Sequence, residues 1–233
     1  MRFDIICGVP EILTSCFSES IIKRAQEKSL VEIFVHNLHD YSNDKHCKID
    51  DIPYSGEAGM VLKPEPIYNC ISHLEKERKY DEIIFLSPDG KVFNQKIATE
   101  LSLKKNIILL CGHYKGIDER VRQSLVTCEI SIGDYVLTGG ELAAAVVVDA
   151  TVRLIPGVVG DAESLLTDSF QDNLLCASSY TRPSEFMSMK VPEILLSGNH
   201  KEIRKYRLLE RIEKTKKLRK DLYEKFLNKN KDE

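Results

Sequence analysis

Short apolar runs alternate with stretches whose apolar residues recur at helical spacing, and this alternation restricts the possible folds more than any other feature. Residues 2–8, 31–35, 82–86 and 106–111 read as strands. Residues 11–28, 65–77 and 95–104 carry the helical period. Strand and helix in alternation predict an α/β fold with a parallel sheet. In such a sheet, ligands bind beyond the carboxyl ends of the strands. The runs IIFLS and IILLCG both lead there into loops containing Gly or Pro.

An Ala- and Val-rich helix is expected over 141–154, ended by Ile155-Pro156-Gly157, where a donor is lost and a turn permitted. A larger domain over 1–159 closes there. Residues 160–168 read as a linker, and 169–233 as a small helical C-terminal domain. Leu218, Leu222 and Phe226 fall four apart and are assigned to one face of a last helix.

The formal net charge of −3 is unevenly divided. Residues 201–233 carry 13 Lys+Arg against 7 Asp+Glu, whereas residues 1–200 carry 20 against 29. A basic terminal segment suits phosphate binding, and it equally suits a solvated helix face. No run of about 18 apolar residues occurs, and the start MRFDIICGVPEI lacks a basic segment followed by an apolar signal core. A cytoplasmic protein is expected. Seven cysteines, without a CxxC pair or a His at zinc-ligand spacing, read as reduced and mostly buried.

Four loops place glycine where backbone turns sharply or approaches a ligand: Tyr54-Ser55-Gly56-Glu57-Ala58-Gly59-Met60, Ser87-Pro88-Asp89-Gly90, Gly112-His113-Tyr114-Lys115-Gly116 and SIGDYVLTGG (131–140). Neither a GxxxxGK[ST] phosphate loop nor a GxGxxG after the first strand is present, which counts against an NTPase and a Rossmann dehydrogenase. Backbone carbonyls and amides among apolar side chains suit an adenine and a thioether better than a polyphosphate. That chemistry fits a sulfonium methyl donor.

The segments LLCGHYKGIDERV, SIGDYVLTGGELAA, RLIPGVVG, DSF, YTRP and LLSGNHKEIRKYR, in this order and spacing, resemble the bacterial tRNA (guanine-N1)-methyltransferases of the TrmD family, up to about Arg219. The resemblance implies a SPOUT-class domain with a trefoil knot, a homodimer, tRNA as partner and S-adenosylmethionine as methyl donor. It places Leu86, Ser87, Pro88, Gly112, Tyr114, Gly116, Ile132, Gly133, Asp134, Tyr135, Val136, Leu137, Gly139 and Gly140 in the donor pocket. By residue type alone, Ile132 and Leu137 equally suit core packing.

The implied reaction methylates N1 of the guanosine just 3′ of the anticodon, tRNA position 37. That nitrogen carries a proton, so a base is needed. Asp168 matches the family's general base and Arg153 its guanidinium beside the guanine carbonyl oxygen. Without the resemblance, Asp168 reads as a helix N-cap and Arg153 as a partner of a helix C-terminus. Arg182, His200, Arg204 and Arg207 match the tRNA-contacting surface.

This sequence departs from the family at His113 and Lys115, where Arg and Glu are common, at Ser55-Gly56-Glu57-Ala58, and at Ala177-Ser178-Ser179. Lys115 reverses a charge beside the donor, so it is expected to turn toward solvent or RNA. Mg2+ is a possible cofactor with no assigned ligands. The competing reading is a tRNA-binding protein of this fold with lost or altered methyl transfer.

Overall fold

The computed structural model describes every residue except 55, 161–166 and 230–233. The chain forms two units, Met1–Gly160 and Asp161–Glu233. Most of the linker expected over 160–168 lies outside the described residues.

In the first unit the strands are β1 (Arg2–Cys7), β2 (Glu32–Asn37), β3 (Asp50–Asp51), β4 (Val61–Leu62), β5 (Glu82–Val92), β6 (Asn106–Cys111) and β7 (Cys128–Ser131). Five form one parallel sheet in the order β2-β1-β6-β5-β7, while β3 and β4 pair separately and antiparallel. The helices are α1 (Thr14–Phe17), α2 (Ser20–Glu27), α3 (Pro64–Glu77), α4 (Gln95–Ser102), α5 (Glu119–Leu125) and α6 (Glu141–Val152). The sheet with helices on both faces is the α/β architecture expected. The sequence pattern did not reveal β7 or α5, both short.

Strand side chains alternate between two apolar clusters. Ile107, Leu109 and Cys111 of β6 join Phe17, Ile22, Val147 and Val148 on one face, and Ile108 and Leu110 join Ile67, Ile71 and Leu74 of α3 on the other. Burial on both faces explains why β6 reads as a continuous apolar run. Each fully buried Ile or Leu contributes about 1.5–3 kcal/mol.

The single helix expected over 11–28 is instead a short 3-10 turn (Pro10–Leu13), then α1 and α2. Phe17 and Ile22 are both buried. Five residues apart, they would point about 140° away from each other on a continuous helix. The break, with Ser20 at φ 57°, allows both to face the core.

One charged group interrupts the sheet's interior. Asp4 is fully buried in β1. It accepts two hydrogen bonds from Arg2 at 2.7 Å, one from the Tyr80 hydroxyl at 2.8 Å, and pairs with His36 Nε2 at 2.8 Å. Burial alone would raise its pKa, but the bonds to His36, Arg2 and Tyr80 outweigh it and bring the carboxyl down to about 2.

The second unit contains, after an irregular stretch, a hairpin of β8 (Glu185–Phe186) and β9 (Met189–Lys190), followed by α7 (Glu193–Leu196), α8 (His200–Leu218) and α9 (Lys220–Lys229). Residues 169–172 form turns, so no helix begins directly after Asp168 and the N-cap reading of that residue fails. Leu218 is the last residue of α8 and 60% exposed, whereas Leu222 in α9 is buried. The chain breaks at Arg219 (φ −138°, ψ 73°), so Leu218, Leu222 and Phe226 do not share one helix face.

Among the described residues of this unit few apolar side chains are buried, and polar side chains of α8 hold the irregular stretch. Arg211 donates to the Leu175 carbonyl at 3.1 Å and to Asp172 at 2.6 Å, and Lys214 donates to the Cys176 carbonyl at 3.0 Å. The buried Thr215 hydroxyl accepts from the Leu175 amide at 2.9 Å. Of the seven cysteines, all free thiols, only Cys7, Cys70 and Cys111 are buried, while Cys47 and Cys176 are exposed.

Asp4→Asn is expected to cost about 2–3 kcal/mol at pH 7, from a depression of roughly two units. A carboxyl held at about 2 when folded stabilises above its unfolded value near 4 and loses that contribution as pH falls toward 2. In urea titrations the gap between the two proteins should therefore close below about pH 4.

Candidate functional site

The strands β6 and β7 run at their carboxyl ends into glycine-bearing loops, and the strand expected over 82–86 continues as β5 to Val92, with the loop Ser87-Pro88-Asp89-Gly90 as an interruption within it. Leu86 pairs with Ile130 of β7, and so does Lys91, so Ser87-Pro88-Asp89-Gly90 leaves the ladder and returns to it at the same place. A Cβ on Gly90 would fall into the backbone of Glu129 and Ile130, so only glycine closes this excursion.

The loop after β6 and the end of SIGDYVLTGG are joined directly. The Gly140 amide donates to the Gly112 carbonyl at 2.8 Å, and His113 bridges to Gly139. A Cβ on Gly140 would sit 2.7 Å from the Cys111 Cα, and one on Gly112 would sit 3.1 Å from the Phe85 ring. Helix α6 begins at the next residue, Glu141. The fourth loop is tied in through the Lys115 amide, which donates to the Met60 carbonyl at 3.0 Å, and the Leu62 amide, which donates to the Gly116 carbonyl at 3.0 Å. Ser55 lies outside the described residues.

These loops enclose a cavity of about 320 Å³. Eleven of the fourteen residues expected in a donor pocket line it: Leu86, Ser87, Pro88, Gly112, Tyr114, Gly116, Ile132, Val136, Leu137, Gly139 and Gly140. Gly133, Asp134 and Tyr135 do not. Tyr135 lies over Gly133, where a Cβ would come within 2.6 Å of its ring, and its hydroxyl donates to the Ile132 carbonyl at 3.3 Å. These three shape the loop rather than the wall.

The wall also includes Ser131, the first residue of SIGDYVLTGG, and Phe85, Asp89, Arg122, Ile130 and Ala143, which were not named individually as pocket residues. Ser131 and Ala143 had an available signal, the last residue of an apolar strand and the helix residue one turn after Gly140. Arg122 is brought in by α5, which the sequence pattern did not show.

The cations at this cavity are neutralised within the chain. Arg122 bonds to Glu129 and, at 2.9 Å, to Asp89. Its bonds to Glu129 push its pKa up. Lys115 is exposed at the rim of the cavity, consistent with the expected turn toward solvent, and donates there to Glu57 at 2.8 Å. Burial, with Asp50 nearby, raises the Tyr114 phenol.

Glu141 was not anticipated. It is 1% exposed, and neither carboxyl oxygen meets a donor among the described residues. His113 Nδ1 is likewise buried without a partner. Both side chains reach the face of Gly139 where a Cβ would otherwise stand.

The volume and lining of the cavity suit an adenosyl-type ligand. Apolar Phe85, Leu86, Ile130, Ile132 and Leu137 supply planar contact, glycine backbone supplies polar groups, and the volume falls at the lower end of small-molecule sites. Among the described residues, no group of three or more His, Cys, Asp or Glu could hold a metal ion.

Arg153 is the C-cap residue of α6, the position suited to a helix-dipole partner. Asp168 belongs to the second unit. In that unit His200 is the first residue of α8, and Arg204 and Arg207 follow at spacings that share one face. Arg182, Arg204 and Arg207 are exposed and make no ion pair or side-chain hydrogen bond among the described residues.

Comparison with known proteins covers nearly the whole chain. Residues 1–225 match the model of the family described as tRNA (Guanine-1)-methyltransferase TrmD. A tRNA (guanine-N(1)-)-methyltransferase of Bacteroides fragilis is 59% identical over 224 residues, 96% of this chain and 100% of that protein. The protein so named from Cytophaga hutchinsonii is 60% identical over 226 residues, 97% of this chain and 96% of its own. The crystal structure of tRNA (m1G37) methyltransferase from Aquifex aeolicus superposes with a TM-score of 0.78 at 40% identity, covering 97% of this chain and 95% of that one.

Gly140→Ala is expected to displace the 112–116 loop and weaken S-adenosylmethionine binding at least about tenfold, equivalent to about 1.4 kcal/mol. Calorimetric titration should show this while circular dichroism reports an unchanged fold.

Proposed function

Since this chain belongs to the TrmD family of tRNA (guanine-1)-methyltransferases, we propose that it transfers the methyl group of S-adenosylmethionine to N1 of the guanosine immediately 3′ of the anticodon, position 37 of tRNA. The observation that carries this reading is the cavity closed by the Gly112–Gly140 contact at the carboxyl ends of β6 and β7. The match over residues 1–225 supplies the substrate class.

When bound, the donor supplies an electrophilic methyl carbon on a sulfonium and leaves as a neutral thioether. The chain's own residues do the rest. In the first unit, Leu86, Ile132 and Leu137 hold the adenine between apolar surfaces, backbone groups at Gly112 and Gly139 read its edge, and Gly140, bonded to the Gly112 carbonyl, holds that backbone in place. Ser87, Pro88, Tyr114, Gly116 and Val136 complete the wall.

N1 of guanine is protonated at neutral pH and a poor nucleophile. Asp168 accepts that proton, so the N1–H bond breaks as the N1–methyl bond forms and the methyl–sulfur bond breaks. A carboxylate in this role contributes about 10²–10⁴-fold. Charge moves onto the guanine carbonyl oxygen, where Arg153 stabilises it more in the transition state than in the ground state. Arg182, His200, Arg204 and Arg207 bind the tRNA, with the guanidiniums on phosphates. The functional form is a homodimer with a trefoil-knotted first domain (1–159), a linker (160–168) and a tRNA-binding second domain (169–233), as the resemblance implies.

Incubating the protein with labelled S-adenosylmethionine, Mg2+ and tRNA bearing G37 should label N1 of G37, and tRNA carrying A37 should remain unlabelled. Absence of transfer by the folded dimer would favour a tRNA-binding protein without turnover. Asp168→Asn should lower single-turnover transfer by at least about a hundredfold with donor affinity retained. Near-normal turnover would remove Asp168 from its role. Arg204→Ala should weaken tRNA binding and reduce the slope of log K against log salt by about one.

A further inference from the structure

The second unit contains a cavity of its own, about 560 Å³, where three separate stretches of sequence meet. Ser178, Tyr180, Arg182 and Ser184 come from the irregular stretch, Leu195 and Leu196 from α7, and Ile203 and Arg207 from α8. The segments YTRP and LLSGNHKEIRKYR, separated by eleven residues and absent from the first unit's cavity, thus both line one site.

Its chemistry is specific in three respects. Two guanidiniums, Arg182 and Arg207, line it, and neither has an ion-pair or hydrogen-bond partner among the described residues. Arg211, Lys214 and Arg219 of the same unit are instead bonded to Asp172, Cys176 and Asp221 respectively. Among the described residues no carboxylate lines the cavity, and the two guanidiniums there are uncompensated by any of them. Its other surfaces are the apolar side chains Val191, Leu195 and Ile203, the half-exposed ring of Tyr180, and several hydroxyls.

A simple anion would use only the guanidiniums, and an apolar peptide only the hydrophobic wall. A nucleotide uses both, with a flat base against aromatic and aliphatic surface and a phosphate on Arg. We propose that this cavity takes one unstacked nucleotide of tRNA, its base against Tyr180 and Leu195 and its phosphate on Arg182 and Arg207. The inference rests on the tRNA methyltransferase reading. The occupant is not the base that is methylated, because no group in the cavity can remove the N1 proton. The cavity therefore holds a second nucleotide and fixes the placement of the RNA.

The chain has no tryptophan, so Leu196→Trp places a single reporter at the cavity. In the full-length protein, saturating tRNA should quench that tryptophan. A nucleoside 5′-monophosphate should do so at higher concentration, and inorganic phosphate alone should not. Arg182→Gln and Arg207→Gln should each weaken the monophosphate response about tenfold, with S-adenosylmethionine affinity in the first unit unchanged. As a second measurement independent of the reporter, tRNAs with an abasic site at each unpaired anticodon-loop position should reveal one position, other than 37, where binding to the unmodified protein falls about tenfold. That loss should shrink in the double arginine variant. tRNA binding with an unresponsive tryptophan and no sensitive position other than 37 would overturn the pocket while leaving the methyltransferase reading intact. A response equal for phosphate and monophosphate would make it a phosphate site without a base. Failure of tRNA to bind at all would overturn both.

Discussion

The close approach of Gly140 to Gly112 is the constraint from which the cavity of the first unit follows. It requires the absence of two side chains at once, since a Cβ on either glycine meets the backbone of Cys111 or the ring of Phe85. Through it the loop after β6 is fastened to the residue preceding α6, and the backbone of Gly112, Gly139 and Gly140 forms part of the wall of the 320 Å³ cavity. A site lined by backbone presents fixed donors and acceptors, with little reorganisation on binding. Gly90 provides the third such contact by letting β5 return to β7 after the Ser87–Asp89 excursion.

The second unit follows a different logic. With little apolar burial available, α8 uses charged side chains as structural members, and Arg211 and Lys214 hold carbonyls of the irregular stretch. The basic composition of residues 201–233 is therefore a mixture of two populations. Arg211, Lys214 and Arg219 serve the fold, while Arg204 and Arg207 remain without ion-pair partners among the described residues. Counting charge along the sequence could not separate them, because the distinction depends on which helix face meets the irregular stretch.

What was legible in the sequence has a clear physical basis. Strands β1, β2, β5 and β6 follow from apolar runs, and the loops beyond β5 and β6 follow from glycine and proline at their ends. The pocket residues were named through the resemblance, and eleven of them line the cavity. Elements whose form depends on tertiary contact were not legible. The interruption between α1 and α2 exists so that Phe17 and Ile22 can both be buried, and neither position's local propensity reveals it. Leu218, Leu222 and Phe226 have a perfect four-residue spacing, yet Arg219 breaks the helix between the first and the others. The roles of Arg122 and Glu141 depend on partners distant in sequence or absent, so spacing carried no signal for them.

The two departures from the family pattern at the first unit's cavity become intelligible as one electrostatic arrangement. A lysine beside a cationic donor is unfavourable if its charge is uncompensated. Here Glu57, from the loop that also departs from the family, meets Lys115 at 2.8 Å, so the two changes offset each other. Arg122 is likewise compensated by Asp89 and Glu129. The carboxyl group left without a donor behind this wall is Glu141, fully enclosed beneath Gly139. With Lys115 and Arg122 both paired to carboxylates, the wall of the cavity carries no uncompensated lysine or arginine charge.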